Sequence, residues 1–392
     1  PRRRRPAAPS TRPRLRPHRG AASAPTPPRH GSPLNTHVRI YLASRFFAAT
    51  AMTAVRAAVG WHIYDLTGSK VLLGLIGLAQ FLPAVVASLS GGIAADRLNR
   101  TRILRVAQLC AFAVTPVLLV ATLRDAISPN GLLLAAGLLA ATAAFEQPSR
   151  AALLVSLVPR DVFPTVVARA ATLQALAFAT GPAVAGVIIA ASGPAAAYGA
   201  HAALMLTSIG LVSLLPSSQG SGTAQSVIAS LVEGARFVAS NRIVLACMSL
   251  DMFAVILGGA TALLPVFAED VLQVGPKGFG ALSASLEVGA LLTALVLSAR
   301  RPIRHAGKAL LWAVVAFGVA TIAFGMSRWL PLSLVAYGLV GAADQVSVVL
   351  RHTVVQMSTP DDVRGRVSSI NMLFIQASNQ LGALESGLMA SV

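Results

Sequence analysis

Acidic residues, lysine, cysteine and aromatic residues are all scarce in this chain. Asp and Glu number 14 against 32 Lys and Arg, and aromatic residues make up 5% of the 392 positions. Two cysteines, Cys110 and Cys247, provide neither a disulfide framework nor a zinc-ligand set. The nucleotide-binding pattern GxxxxGK[ST] and zinc-spaced His/Cys clusters are absent from the sequence. ATP hydrolysis, metalloenzyme chemistry and a bound cofactor therefore have no support, and we do not expect an enzyme.

Long apolar runs are abundant. Hydrophobic residues make up 55% of the chain and its mean hydropathy is +0.69. Runs of about 20 residues can cross a hydrocarbon layer about 30 Å thick as helices, and the alternation of a transmembrane β-barrel is not seen. We therefore predict an all-α, multi-pass protein of the cell (inner or plasma) membrane. Its spans are predicted at 38–63, 70–95, 103–123, 131–153, 164–190, 195–215, 243–266, 278–299, 308–327, 330–352 and 366–391.

The first 37 residues differ in composition from the rest. Nine of the basic residues lie in the first 36 positions, which contain no acid and many prolines. Such a segment cannot bury a core, and we predict a disordered Arg/Pro-rich tail over 1–37. The tail either contacts anionic lipid headgroups or is a wrongly assigned upstream extension. The formal charge of +18 is therefore no evidence for a nucleic-acid partner.

A polar stretch separates two sets of apolar runs. It opens as SSQGSGTAQ, a flexible-linker composition, and continues as SVIASLVEGARFVASNR. Val227, Leu231, Ala235 and Val238 share one helical face, which predicts a short amphipathic helix on the membrane surface. The predicted domains after the tail are an N-terminal six-helix bundle, 38–216, a cytoplasmic linker, 217–242, and a C-terminal bundle, 243–392.

Basic residues are unevenly distributed between the predicted connections, which defines two ends of the molecule. The arginine-rich end carries Arg97, Arg100, Arg102, Arg150, Arg160, Arg236, Arg242, Arg300, Arg301, Arg304, Lys308, Arg351, Arg364 and Arg366. The arginine-poor end carries only Lys70, Arg124, Lys277 and Arg328. The positive-inside rule then predicts that the arginine-rich end and the N-terminus are cytoplasmic.

The two halves contain a repeat. Six residues recur without a gap 201 positions later: Arg150, Pro159, Asp161, Val162, Gly181 and Gly186 as Arg351, Pro360, Asp362, Val363, Gly382 and Gly387. The repeat predicts two pseudo-symmetric six-helix bundles around a substrate path, which is a plan of secondary transporters. Because eleven spans are visible, we expect the twelfth helix to be missing from this chain.

The stretch GGIAADRLNRTR, residues 91–102, resembles the signature loop between the second and third helices of the major facilitator superfamily. FEQPSRAALLVSLVPRD, DMFAVILGGATALLPVFAEDVL and TPDDVRGRVSSINMLFIQASNQLGALESGL are similar to the branch containing enterobactin exporters and macrolide-efflux-like permeases. The resemblance covers about residues 38–391. It implies the major facilitator fold and transport by alternating access.

The resemblance also implies a gating latch at the arginine-rich end. Asp96 would face the start of the eleventh helix in the opposite bundle, with Arg97 and Arg100 in support and Gly92 in the signature loop. A carboxylate is stabilised at the positively polarised N-terminus of a helix, and such a contact can form in one conformer and break in the other. The alternative is that these charges only anchor the membrane topology.

Charged residues inside spans are candidates for the cavity and for coupling, because burying a charge in a membrane is costly. The candidates are Arg45, Arg56, Asp251, Glu287 and Asp344. Glu287, near the middle of its span, is the first choice for binding a proton or the cargo. The alternative is a buried ion pair between Glu287 and Arg45 or Arg56.

Other charged residues lie near the arginine-rich end. Glu146 and Arg150 are four residues apart, a favourable helical pair. Arg150 and Arg351 occupy equivalent repeat positions, as do Asp161 and Asp362, which favours locking between helices over cargo contact.

Gly181, Pro182 and Gly186 resemble part of the antiporter motif of drug–proton exchangers and imply a site where the helix bends or packs closely. Ala177 stands where the fuller motif has glycine.

These features predict an exporter of a small organic molecule, a siderophore or a drug-like compound, coupled to protons and working as a monomer among membrane lipids. The alternatives are a metabolite importer of the same fold and a truncated membrane protein that transports nothing.

Overall fold

The structure is a computed structural model that describes residues 35–219, 227–258, 260–300, 306–360 and 363–391. Within its helices, the side chains at 88, 89, 92, 93, 95, 96, 227–230 and 260 are not described. The tail up to residue 34 and Asp362 lie outside these ranges.

Every regular element in these ranges is helical. The α-helices are α1 (Thr36–Thr67), α2 (Lys70–Arg97), α3 (Arg100–Leu123), α4 (Pro129–Leu157), α5 (Phe163–Ser213), α6 (Val227–Ser240), α7 (Arg242–Gly258), α8 (Leu264–Val266), α9 (Gly275–Ala299), α10 (Ala306–Met326), α11 (Leu330–Met357) and α12 (Arg364–Met389). A 3-10 turn (Ala260–Leu263) precedes α8, and a π-helix (Phe267–Val271) follows it.

Eight described helical segments, one of them the composite Arg242–Val271, are long and apolar enough to cross a membrane, judged by length and composition. One of them, α5, is 51 residues long and contains a break at Gly193, where φ is 76°. Glycine adopts this left-handed backbone without a Cβ clash, and Pro194 then starts a new helix. The break falls in the gap predicted between the spans 164–190 and 195–215.

Polar side chains fix where the early helices begin. Ser69, Asn99 and Ser128 each precede a helix and accept a hydrogen bond from the backbone N–H three residues later. Such caps satisfy N–H groups that have no partner within the helix. The connections before α2, α3 and α4 are two, two and five residues long.

The span predicted over 243–266 lies within Arg242–Val271, which is long and apolar enough to cross a membrane, but this segment is not one regular α-helix. Helix α7 ends at Gly258, and the chain continues through the 3-10 turn, α8 and the π-helix. Consecutive glycines at 258 and 259 weaken a helix, and Pro265 lacks the N–H that would continue the hydrogen-bond ladder. An ideal Cβ on Gly258 would lie 2.6 Å from the Phe317 ring, so α10 also packs closely there.

Helix α6 forms where the amphipathic pattern placed it, but one residue of the predicted buried face is wrong. Val238 is buried, Leu231 is partly buried, and Ala235 is exposed. Gly234 occupies the buried side instead, because α12 approaches so closely that an ideal Cβ there would lie 2.8 Å from the Arg366 carbonyl oxygen. Glu233 forms an ion pair with Arg366 across the same contact.

Buried apolar side chains form one cluster that joins the two halves of the chain and a smaller one within the second half. The larger cluster joins α1–α5 to α8, α9, α10 and α11, and it lies in the arginine-poor half of the molecule. The smaller cluster is formed by α6, α7, α11 and α12 near the arginine-rich end. The described apolar core thus runs across both bundles in the arginine-poor half.

Candidate transport site

Glycines bring the two bundles into backbone contact near the arginine-poor end. An ideal Cβ on Gly186 of α5 would lie 2.4 Å from the Pro276 carbonyl oxygen and 2.8 Å from the Gly280 Cα of α9. An ideal Cβ on Gly387 of α12 would lie 2.7 Å from the Lys70 carbonyl oxygen and 2.9 Å from the Gly74 Cα of α2. Gly186 and Gly387 are repeat partners, so the same contact is made twice, once by each bundle.

Side chains extend this contact between the bundles. The Tyr64 hydroxyl at the end of α1 donates a hydrogen bond to Asp270 in the π-helix of the other half. Trp61, one turn earlier, packs on Phe279 of α9 with 5.6 Å between ring centroids. Together with the continuous apolar core, these residues form what we call the arginine-poor seal: Trp61, Tyr64, Gly186, Asp270, Phe279 and Gly387.

The signature loop lies at the arginine-rich end, and its described part docks within its own bundle. The Arg100 backbone N–H donates to the Ser218 carbonyl at 2.8 Å, and the Thr101 hydroxyl donates to the Pro216 carbonyl at 2.8 Å. Arg97 ends α2 and is exposed. Gly92 and Asp96 belong to α2, and the Asp96 side chain lies outside the described part, so the predicted latch remains a prediction.

Glu146 and Arg150 form an ion pair inside the N-terminal bundle, with Glu146 9% and Arg150 4% exposed. The same Glu146 oxygen accepts from the Gln108 amide at 3.2 Å, and that amide also donates to the Ser208 hydroxyl at 3.0 Å. The Tyr41 hydroxyl donates to the Arg150 carbonyl at 3.0 Å. The pair therefore ties α1, α3, α4 and α5 together, because a buried carboxylate and guanidinium must both be satisfied locally.

The repeat partner Arg351 is neutralised by an acid from a different helix. It forms an ion pair with Asp251, which joins α11 to α7, and both residues are buried. Position 347, the repeat equivalent of Glu146, is a serine. The arginine is therefore kept at equivalent positions in both bundles, whereas its acidic partner comes from a different helix in each.

Two further carboxyl groups lie in the C-terminal bundle. Asp251 and Asp344 line one small cavity between α7, α10 and α11, with about 10 Å³ of free space, close to what one water needs. Glu287 of α9 and Asp344 of α11 lie beside the close crossing of these two helices, where Gly289 meets Gly338 and Gly341 meets Leu286. Glu287 belongs to none of the ion pairs among the described side chains.

The remaining predicted residues are separate from these groups. Arg45 is half-buried, and its Nε has no hydrogen-bond partner among described atoms. Arg56 and Asp161 are exposed. An ideal Cβ on Gly181 would lie 1.9 Å from the Thr53 hydroxyl, so α5 packs tightly on α1 beside Pro182. Neither Arg45 nor Arg56 takes part in a described ion pair with Glu287.

The sequence analysis missed several buried polar residues. Gln108, Ser208, His62, Tyr198 and His201 make hydrogen bonds between helices in the N-terminal bundle. Their one sequence signal is the spacing of Tyr198, His201 and Ser208, which places three polar residues on one face of an apolar helix.

Comparisons with known proteins agree with this architecture. The sequence model of the transmembrane secretion effector family matches residues 31–392. The chain is 27% identical to the multidrug efflux pump Tap of Mycolicibacterium fortuitum over 350 residues, which cover 85% of this chain and 84% of the pump. It is 26% identical to the enterobactin exporter EntS of Shigella boydii over 349 residues, covering 86% of this chain and 82% of the exporter.

Solved structures show the same fold. A bacterial homologue of the human lysosomal transporter Spinster, in an inward-facing and unoccupied conformation, superposes with a TM-score of 0.72 at 17% identity, covering 92% of this chain and 83% of the other. A D-xylose–proton symporter superposes with a TM-score of 0.65 at 14% identity, covering 90% of this chain and 89% of the other. The predicted major facilitator fold is confirmed, and the chain belongs to the transmembrane secretion effector family of this transporter superfamily.

Proposed function

We propose that this chain exports a small organic compound from the cytoplasm by alternating access and uses the proton gradient as its energy source. It acts as a monomer in the cell membrane, with the arginine-rich end and the N-terminus in the cytoplasm. The observation that carries the proposal is the arginine-poor seal, which joins both bundles at one end through repeat-related contacts.

The seal supports alternating access because its contacts lie between the two bundles and can all break when the bundles separate as rigid units. Backbone contacts at Gly186 and Gly387, the Trp61–Phe279 ring pair and the Tyr64–Asp270 hydrogen bond join the two bundles non-covalently. Separation there would open the cleft to the outside, and Asp96 would then latch the arginine-rich end against the start of α12. This is a rigid-body transition between two discrete packings.

Uncompensated acids support the proton coupling. In the C-terminal bundle Asp251, Glu287 and Asp344 carry three carboxyl groups, and among the described side chains Arg351 pairs with one of them, Asp251. A carboxylate without a cation inside a membrane bundle is unfavourable, and a bound proton neutralises it. Glu287 and Asp344 are therefore the proposed coupling groups.

The cargo class follows from the relatives. One is named a multidrug efflux pump and another an enterobactin exporter, so we propose an amphiphilic drug-like compound or a siderophore as cargo. The amides of Asn371, Gln376, Asn379 and Gln380 on α12 are candidates for polar contacts with it.

Everted membrane vesicles containing the full chain provide the test, with ethidium and enterobactin as probes. We expect accumulation of a probe when the vesicles are energised, and loss of that accumulation when a protonophore collapses the gradient. Glu287→Gln should reduce gradient-driven accumulation at least tenfold, since loss of the coupling group removes the driving step.

Asp125→Asn is the matched control, because Asp125 is exposed in the arginine-poor turn after α3 and its φ of 53° suits asparagine. The control should transport normally. Accumulation that persists after collapse of the gradient would refute the coupling, and equal transport by Glu287→Gln and the control would refute the role of Glu287.

A further inference from the structure

The N-terminal bundle buries two histidines that lie apart from the acids described above. His62 of α1 is 5% exposed, and His201, in the part of α5 after Gly193, is fully buried. Both lie in the arginine-poor half, next to Tyr198 of α5 and Thr115 of α3, which are also fully buried. Burying an ionisable ring inside a membrane bundle is costly, and residues of this kind usually have a function.

Hydrogen bonds favour Nδ1 as the nitrogen of His201 that carries the proton. The Thr115 hydroxyl lies 3.2 and 3.3 Å from the backbone carbonyl oxygens of Ala111 and Phe112, and donating its one hydrogen to either of them leaves its oxygen to accept. The His201 Nδ1 lies 2.7 Å from that oxygen, and we infer the tautomer in which Nδ1–H donates to it. Neutral histidine has one N–H, so Nε2 holds a lone pair.

In this tautomer the Nε2 of His201 is a basic nitrogen that carries a lone pair and no hydrogen. It is buried and has no hydrogen-bond partner among the described residues. Leaving such an acceptor unsatisfied costs about 1–3 kcal/mol, so an unpaired buried group of this kind calls for an explanation. A nitrogen with a free lone pair can accept a proton.

A route to this nitrogen begins at the arginine-poor end. Asp65 is exposed at the end of α1, one helical turn after His62. The Tyr198 hydroxyl lies 2.9 Å from the His62 Nδ1, and His201 follows Tyr198 by one turn on the same helix face. These residues form a short polar column from the surface inward.

An apolar layer closes the column on the other side. Met205 and Ala111 are buried between His201 and the next polar layer, Gln108 and Ser208, about two helical turns away. The helices α3 and α4 bring no charged side chain to the column, because α3 has none between Arg105 and Arg124 and α4 has none before Glu146. The titratable groups facing His201 are therefore Asp65, His62 and Tyr198.

We propose that His62, Tyr198 and His201 form a second proton-binding site, loaded from the arginine-poor end, with His201 Nε2 as the acceptor. The proton comes from solvent water, and His201 becomes a cation with two N–H donors. The inference rests on the proposed proton-driven function and adds a site in the N-terminal bundle to the acids of the C-terminal bundle.

The site is linked to the arginine-poor seal through α1. His62 is flanked by Trp61 and Tyr64, whose partners Phe279 and Asp270 belong to the other bundle. A buried imidazolium is favoured only where water or a polar group can solvate it. Proton binding therefore favours conformers in which the column is hydrated and α1 moves away from the seal.

The decisive measurement is solid-state ¹⁵N NMR of the full chain in lipid bilayers, with labelled histidine. His201→Asn identifies the His201 signals, since asparagine keeps a donor for Thr115 but has no titratable ring, and His201→Gln repeats the identification if that variant does not fold. As the pH is lowered from about 8 to about 3, the Nε2 signal should move from the lone-pair range to the N–H range. A signal that stays in the lone-pair range at about pH 3 would refute the site.

Two further variants separate proton binding from a structural role. Thr115→Val removes the acceptor for Nδ1–H and should give a mixture of the two neutral tautomers, whereas a fixed tautomer would contradict the geometry. In ethidium transport, His201→Asn should lower gradient-driven accumulation at least tenfold, and His352→Asn in the other bundle should not. Equal transport by both variants would refute a coupling role for His201, and failure of the unmodified chain to transport any probe would refute the proposed function while leaving the NMR result intact.

Discussion

Adding one methyl group at Gly186 should open the arginine-poor seal. The ideal Cβ of an alanine there lies 2.4 Å from the Pro276 carbonyl oxygen, and real Cβ atoms essentially never come within 3.0 Å of another heavy atom. The helices α5 and α9 must separate by about 0.6 Å in Gly186→Ala, and the opposing atoms are backbone, which cannot rotate away.

The added methyl group destabilises only the conformer in which the arginine-poor seal is closed. Overpacking of this kind costs about 1–3 kcal/mol, and the cost disappears once the bundles part. The ratio of sealed to open molecules should therefore fall by roughly 5- to 150-fold. Gly387→Ala should act in the same direction, since its Cβ would lie 2.7 Å from the Lys70 carbonyl oxygen.

Distances between spin labels measure this ratio. Cys110 and Cys247 are replaced by serine and alanine, and labels are attached through Arg124→Cys and Arg328→Cys, two exposed positions at the arginine-poor end of different bundles. Gly210→Ala is the control, because no atom lies within 4 Å of its ideal Cβ. Longer distances should dominate in Gly186→Ala alone. The same distribution in both variants would refute the proposed seal.

Other changes have equally definite outcomes. Tyr64→Phe removes the hydrogen bond to Asp270, worth about 1.5 kcal/mol for a charged acceptor, and should lengthen the Arg124–Arg328 label distance; an unchanged distance would show that this bond does not hold the seal. Arg351→Met leaves Asp251 buried without its cation and should lower stability by about 3–5 kcal/mol in detergent melting, whereas adding Asp251→Leu should restore most of it; a single variant as stable as the unmodified chain would contradict the buried pair.

The positions of the helices and the internal repeat were readable from the sequence because both are patterns along the chain itself. The apolar runs give the helices, the gap between predicted spans coincides with the break at Gly193, and the offset of 201 residues anticipates the paired contacts of Gly186 and Gly387. The interruption of the span after Gly258 was missed, since the apolar run continues through it.

Side-chain partners were much less predictable. His62 and Tyr198 are 136 residues apart, Thr115 and His201 are 86 apart, and Asp251 and Arg351 are 100 apart. Such pairs are set by how helices pack, which one sequence does not reveal. Glu146 and Arg150 could be paired in advance because both lie on one helix.

Reciprocal movement of the two ends tests the central claim most directly. A second label pair, Arg160→Cys and Arg300→Cys, reports on the arginine-rich end in the same cysteine-free background. Acidification in bilayers should lengthen the Arg124–Arg328 distance and shorten the Arg160–Arg300 distance in the same molecules. Two ends that open together, or one end that moves while the other stays fixed, would contradict alternating access.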